Sequence, residues 1–178
     1  MKPVLDESAP SSALDAAFDF ASCPASYNIN LQGPSRYRLI PTGGALGTQS
    51  DLCDQDKVGA THLVVFDSLP EVNAVAALVD STTIASDAIW IGAVQLRAAA
   101  RPDEMWISFD DQPLMDQWFD NEPNDGGGHE DHGEQFAVIM KNRHYFTDVA
   151  RIFNAGALCE CDGKPVGPTA TAAIAASR

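Results

Sequence analysis

Glu122, Pro123 and Asn124 set a carboxylate and a carboxamide on either side of a proline. The trans preference of an X-Pro bond is small enough for a fold to select cis, and a cis bond can aim both flanking side chains at one cation. Calcium favours these donors, since it takes hard oxygen ligands at about 2.3–2.6 Å. The carboxamide also keeps an NH2 donor while the carboxylate keeps acceptor lone pairs, so a bound diol can accept from one and donate to the other. The chemistry implied is the holding of a polyhydroxyl compound through an ion. Gly126, Gly127 and Gly128 follow, then His129, Glu130, Asp131 and His132. Glycines let a loop bend closely around an ion or a ligand. The two histidines stand three apart beside glycines, whereas a zinc-protease helix spaces them by four with a glutamate between. Nothing in the sequence indicates a water-activating base in a shaped pocket, so no enzyme activity is expected.

The elements that must position these residues are legible in outline. Ser68 and Glu71 form a capping-box pattern with Pro70 in the first turn, and Val72, Val75, Ala76 and Val79 recur at helical spacing. A short helix with one apolar face is expected there. The runs at 63–66, 89–91 and 136–140 are rich in β-formers and too short for helices. Between 92 and 134 the chain is aromatic, acidic and turn-rich, and so long an irregular stretch in a compact domain is usually functional or disordered. Bound calcium would supply its order.

Composition narrows the partners. With 178 residues the chain suits one domain with an ordinary core. A formal net charge of -14 argues against nucleic acid and anionic lipid, both of which need a basic surface. No run approaches the ~20 apolar residues of a membrane span, so no membrane insertion is expected. Cys23, Cys53, Cys159 and Cys161 allow three disulfide pairings and point to an oxidising compartment. Residues 1–22 lack the basic-then-apolar pattern of a leader, so export implies that this numbering starts after one or within a larger parent. They read as a flexible segment, as does the Pro/Ala/Thr-rich tail at 163–178, leaving 23–162 as the domain.

The order of motifs resembles that of C-type lectin domains. Upstream of the tripeptide stand Trp106, Asp110, Pro113 and Trp118, and earlier Trp90-Ile91-Gly92 looks like that family's WIG strand. Cys53, His62-Leu63-Val64 and Ser68-Leu69-Pro70-Glu71 are similar to its cysteine-ended first helix, HLV strand and second helix. Downstream, Glu134-Gln135-Phe136 resembles Glu-x-Cys, Phe146-Thr147-Asp148 resembles Trp-Asn-Asp, and Leu158-Cys159-Glu160 resembles the closing Cys-Glu. The match runs in order over residues 36–162. Phe136 and Ala150 occupy both positions of the family's second disulfide, so that bridge is absent as a pair.

The resemblance implies an α+β, C-type lectin-like fold with two short helices, small antiparallel sheets and a long irregular calcium-binding loop region. It implies Ca2+ and sugar ligation by Glu122, Asn124, Glu134, Thr147 and Asp148, with secondary sugar contacts from Arg143 and His144 in the adjoining hairpin. Thr147 stands where the family has asparagine, which shortens the ligand and removes one donor. Glu130 restores the usual spacing to Asn124 and competes with Glu134, which keeps Phe136 in register with its strand. Asp125 is a possible auxiliary ligand, although 94–97 lacks the acids of further calcium sites. The implied disulfide is Cys53–Cys159, leaving Cys23 for Cys161. Residues two apart in a strand face the same side, so the crossed pairing stays open. Glu-Pro-Asn in the family accompanies mannose-type selectivity for vicinal equatorial hydroxyls, as in mannose, glucose, N-acetylglucosamine or fucose. The expected product is a secreted glycan-binding lectin without catalysis, of unspecified oligomeric state. The alternative is a lectin-like module that binds protein or another surface with partial or no calcium dependence.

Overall fold

The computed structural model describes residues 18–126 and 133–176. In chain order these form β1 (Arg36–Gly44), α1 (Leu46–Asp54), β2 (Thr61–Leu63), α2 (Leu69–Ser81), β3 (Ala88–Gln95) and β4 (Trp106–Ser108). Then come β5 (Phe136–Met140), β6 (Phe146–Val149), β7 (Ala155–Cys161) and α3 (Pro168–Ala176), with single 3-10 turns at Phe20–Ser22 and Ala85–Asp87. The strands join one mixed sheet in the order β1-β7-β3-β5-β6, with β2 added on β7 and β4 on β3. Its pairings are antiparallel except β3 with β7, which run parallel.

The centre of the sheet is covered on both faces, so every residue of β3 and β7 is buried and alternation is lost from the sequence. Trp90 and Val94 of β3 join Phe136, Val138 and Cys159 on one side. Ile89 and Ile91 join Ile139, Phe146 and Leu158 on the other. Helix α2 lays Val72, Val75 and Val79 onto the second side, each fully or almost fully buried. Such burial contributes roughly 1.5–3 kcal/mol per side chain before entropy is counted. Its expected capping box does not form: Ser68 makes no side-chain cap, and Glu71 accepts the N–H of Asp67, one residue before the cap, at 3.0 Å. Gly92 is required where β3 passes β2, because a Cβ there would lie 2.7 Å from the Leu63 carbonyl oxygen.

Two disulfides staple the first side, Cys53 to Cys159 and Cys23 to Cys161, with Cα separations of 5.3 and 6.1 Å. The pairing is the one the resemblance implied. Both land on β7, tying it to α1 and to the N-terminal segment. In the chain-entropy account, closing a separation of 106 residues is worth about 4–5 kcal/mol.

The α+β architecture and the helices α1 and α2 agree with expectation, but the boundaries do not. The stretch expected to be a flexible tail contains α3, which buries Ala170 fully and packs Ala173 and Ile174 on the Trp90 side of the core. Asp111 caps it, accepting the N–H of Thr169 at 2.9 Å and of Ala170 at 2.7 Å. At the other end, 18–22 is also seated: Phe18 packs on the core and the Lys57 ammonium donates to the Ser22 carbonyl at 2.9 Å. Residues 1–17 and 177–178, also expected to be flexible, lie outside the described residues. The described domain therefore extends beyond 23–162 at both ends.

Candidate functional site

The tripeptide is positioned by a seam between the long loop and β6. Trp118 bridges Phe146 in parallel, with Phe146 N–H donating to the Gln117 carbonyl at 2.7 Å and Phe119 N–H to the Phe146 carbonyl at 2.9 Å. Beneath the seam, Trp118 stands edge-on to Phe146 at 5.8 Å and to Trp106 at 4.7 Å. A turn then returns Glu122 N–H to the Phe119 carbonyl at 2.9 Å, and the Glu122–Pro123 bond is cis.

Asp148 anchors the segment that follows. Its carboxylate accepts the Asn124 N–H at 3.0 and 3.1 Å and the Asp125 N–H at 2.7 Å. Asp125 is itself buried and accepts the Glu134 N–H at 2.7 Å, which links the far side of the loop back to the tripeptide. The Asn124 amide donates to Glu122. Gly126 adopts φ +70°, and a Cβ there would lie 3.4 Å from Glu134 Oε2, so the glycine lets the backbone pass close to that carboxylate.

Glu122, Asn124, Glu134, Arg143, Thr147 and Asp148 line one concavity of about 470 Å³. Among the described residues three carboxylates thus converge with only one guanidinium, that of Arg143, which lies over the Phe119 ring at 4.7 Å. Burial, then the neighbouring Asp148 and Glu134, push the Glu122 carboxyl up to about 7, with Arg143 opposing. The Thr147 hydroxyl is buried here without a hydrogen-bond partner. An orphaned buried hydroxyl costs about 1–3 kcal/mol unless something completes it. Hard carboxylate, amide and hydroxyl oxygens around one hollow fit calcium.

The expected sugar contact His144 does not line this hollow. His144 turns to α2, where its Nε2 contacts Asp80, beside an Asn142 N–H donated to the same carboxylate at 2.6 Å. That partner, sixty-four residues away in sequence, had no local signature. Glu130, with His129 and His132, lies outside the described residues. Sequence reasoning also missed the apolar wall of the hollow, Met140 and Phe153, and the part played by Gln95. The Gln95 amide donates to the carbonyls of Arg101, Pro102 and Glu104 at 3.0–3.2 Å, holding the loop after β3.

A second acid cluster sits elsewhere. His62, Glu160 and Asp162 bring ligand atoms within 4.8 Å of one another. His62 Nδ1 lies 2.8 Å from the Leu63 carbonyl and Nε2 lies 3.0 Å from Asp162 Oδ1. Both nitrogens therefore act as donors, the arrangement of an imidazolium, which has no lone pair for a metal. Burial pulls the ring down, but the Asp162 bond and the charges of Asp162 and Glu160 outweigh it and raise the value to about 9. This cluster is an internal ion pair.

The sheet, the disulfide-bound α1 and the carboxylate-bearing loop together define a C-type lectin-like fold. The chain is similar to the carbohydrate-recognition domain of the mouse scavenger receptor C-type lectin, at 18% identity and a TM-score of 0.62 over 79% of this chain and 98% of that one. It is also similar to the cow CD23 domain solved with a GlcNAc2Man3 oligosaccharide, at 20% identity and a TM-score of 0.60 over 78% and 95% of the two chains. The Ca2+-independent lectin SPL-2 from Saxidomus purpuratus aligns at 17% identity and a TM-score of 0.63 over 82% and 98%. No family model and no curated protein matches the sequence. Two disulfides suit an oxidising compartment, and among the described residues no helix is long and apolar enough to cross a membrane.

Proposed function

We propose that this chain is a secreted, calcium-dependent lectin that holds sugars with vicinal equatorial hydroxyls. The observation that carries the reading is the unpartnered Thr147 hydroxyl buried in the same hollow as Glu122, Asn124, Glu134 and Asp148. Those five residues would hold Ca2+. When bound, the ion supplies a positive centre for the two hydroxyl oxygens of a diol. Glu122 accepts from one hydroxyl, and Asn124 donates to the other. Their order along the chain sets the direction of selectivity toward mannose, glucose, N-acetylglucosamine or fucose rather than galactose. Arg143 remains at the rim as a further donor. The similarity to the cow CD23 carbohydrate-recognition domain solved in the presence of GlcNAc2Man3 supports a glycan partner.

A second reading is favoured by one observation. Asp148 already accepts two backbone N–H groups and Asn124 already bonds Glu122, so the chain itself partly holds the turn. A module of this kind would bind protein or another surface with little calcium dependence, and the fold also occurs in a Ca2+-independent lectin. Calorimetric titration with calcium, then with mannose and galactose in calcium or in chelator, separates the two. The expected result is heat on calcium addition and mannose binding that chelator abolishes. Binding that survives chelator, or no response to any sugar at millimolar concentration, would sink the lectin reading. Replacing Glu122 by Gln and Asn124 by Asp is expected to move selectivity toward galactose.

A further inference from the structure

Glu122 borders two hollows. It lines the carboxylate concavity, and together with Pro123 it also lines a groove of about 720 Å³. Trp118, Leu114 and the half-exposed Met105 make its apolar walls, and Asp103 and Asp116 bring carboxylates to the same lining. An aromatic and aliphatic wall with flanking acceptors matches a hexose ring, which has an apolar C–H face and a belt of hydroxyl donors. Among the described residues the lining has three carboxylates and no lysine or arginine, and the adjoining Arg101 guanidinium is already taken by Asp103 and Glu104 at 3.1 Å, so the groove disfavours phosphate, sulfate and other anionic substituents.

The groove is also built before any ligand arrives. Trp106 donates its indole N–H to the Pro102 carbonyl at 2.7 Å, and its ring meets Trp118 edge-on. Gln95 pins the adjoining loop at three carbonyls. A preformed wall spares a ligand the cost of ordering it.

We propose that this groove is a second sugar subsite, so that the preferred ligand is a neutral oligosaccharide running across Glu122 rather than a single sugar. The proposal rests on the assignment of Glu122 and Asn124 as contacts of the first sugar. Asp116 accepts hydroxyls of the second residue and Met105 packs on its C–H face.

Calorimetry in excess calcium with methyl α-mannoside and with the α1–2-, α1–3- and α1–6-linked mannobioses tests it. At least one mannobiose is expected to bind about fivefold tighter or more than the monosaccharide. That exceeds the roughly twofold advantage of offering two copies of one residue. Asp116→Ala and Met105→Ala, each at the surface of the groove, are expected to erase the gain and leave methyl α-mannoside affinity unchanged. Equal affinity for mono- and disaccharide overturns the subsite while leaving the first site standing, as does a gain that survives both substitutions. Equal loss of mono- and disaccharide binding in the two variants also overturns it, since it assigns them to general stability. If no mannoside binds, the first site fails and the second falls with it. Tighter binding of a basic peptide than of any mannobiose, abolished by Asp116→Ala, would reassign the groove to a cationic partner.

Discussion

The protein contains two gatherings of acids that a composition count cannot tell apart, and they differ in where their positive charge comes from. Around Glu160 and Asp162 the chain supplies it: His62 stands between them almost completely buried, and Lys164 lies 3.4 Å from Asp162. Around Glu122, Glu134 and Asp148 the described residues supply a single half-buried guanidinium, and the Thr147 hydroxyl finds no partner. The first cluster is closed and the second is open. Acids that arrive with an internal cation serve the fold, whereas acids that converge without a matching one are poised for something from outside.

The contrast is most exposed to His62→Ala. Removing one partner of a buried pair strands the other, so a stability loss of about 3–5 kcal/mol is expected in urea unfolding, with calcium affinity unchanged. If calcium affinity falls along with stability, the clusters are not independent. Next in size is the response to pH. The folded value of His62, about 9, lies above its ordinary 6.5, so its contribution is full below pH 6.5 and is lost as pH rises through 9. Glu160, which burial holds up to about 7, adds a loss in the same direction as pH rises through that value. A fall on the order of 3 kcal/mol between pH 6.5 and 9 is expected for the wild type, and only the smaller Glu160 part of it for His62→Gln. Chemical unfolding at a series of pH values in chelator reads it.

Calcium itself should act only on the open cluster. At a hundred times its dissociation constant the ion is expected to stabilise the wild type by about 2.7 kcal/mol, and Asp148→Ala by nothing. Thermal unfolding with calcium or chelator measures both. The smallest effect is the sharpest: Thr147→Val removes the orphaned hydroxyl at nearly constant volume. Stability in chelator is expected to rise by about 1 kcal/mol while calcium affinity drops. A variant that loses stability in chelator shows that the hydroxyl was satisfied after all.

Legibility followed the range of the interaction. Helix α2 could be read from Ser68, Pro70, Glu71 and its valines because those signals are local, and β5 coincided with the 136–140 run for the same reason. The carboxylate hollow was legible through ordered motifs, since each ligand sits beside a recognisable strand or turn. Helix α3 was not, because Pro168-Thr169-Ala170-Thr171-Ala172 reads as low complexity and its anchor, Asp111, lies fifty-eight residues away from Thr169. Pro168 at its first position, ahead of alanines, was the signal available. The role of His62 was hidden likewise: nothing near it in sequence announces Asp162, a hundred residues on.

The seam at Trp118 has a practical consequence. An indole that touches Phe146 on the sheet and stands four residues before Glu122 shares one rigid turn with the hollow, so whatever settles there alters the electric field and packing around a natural fluorophore. The molecule carries its own optical gauge, readable in dilute solution without any label.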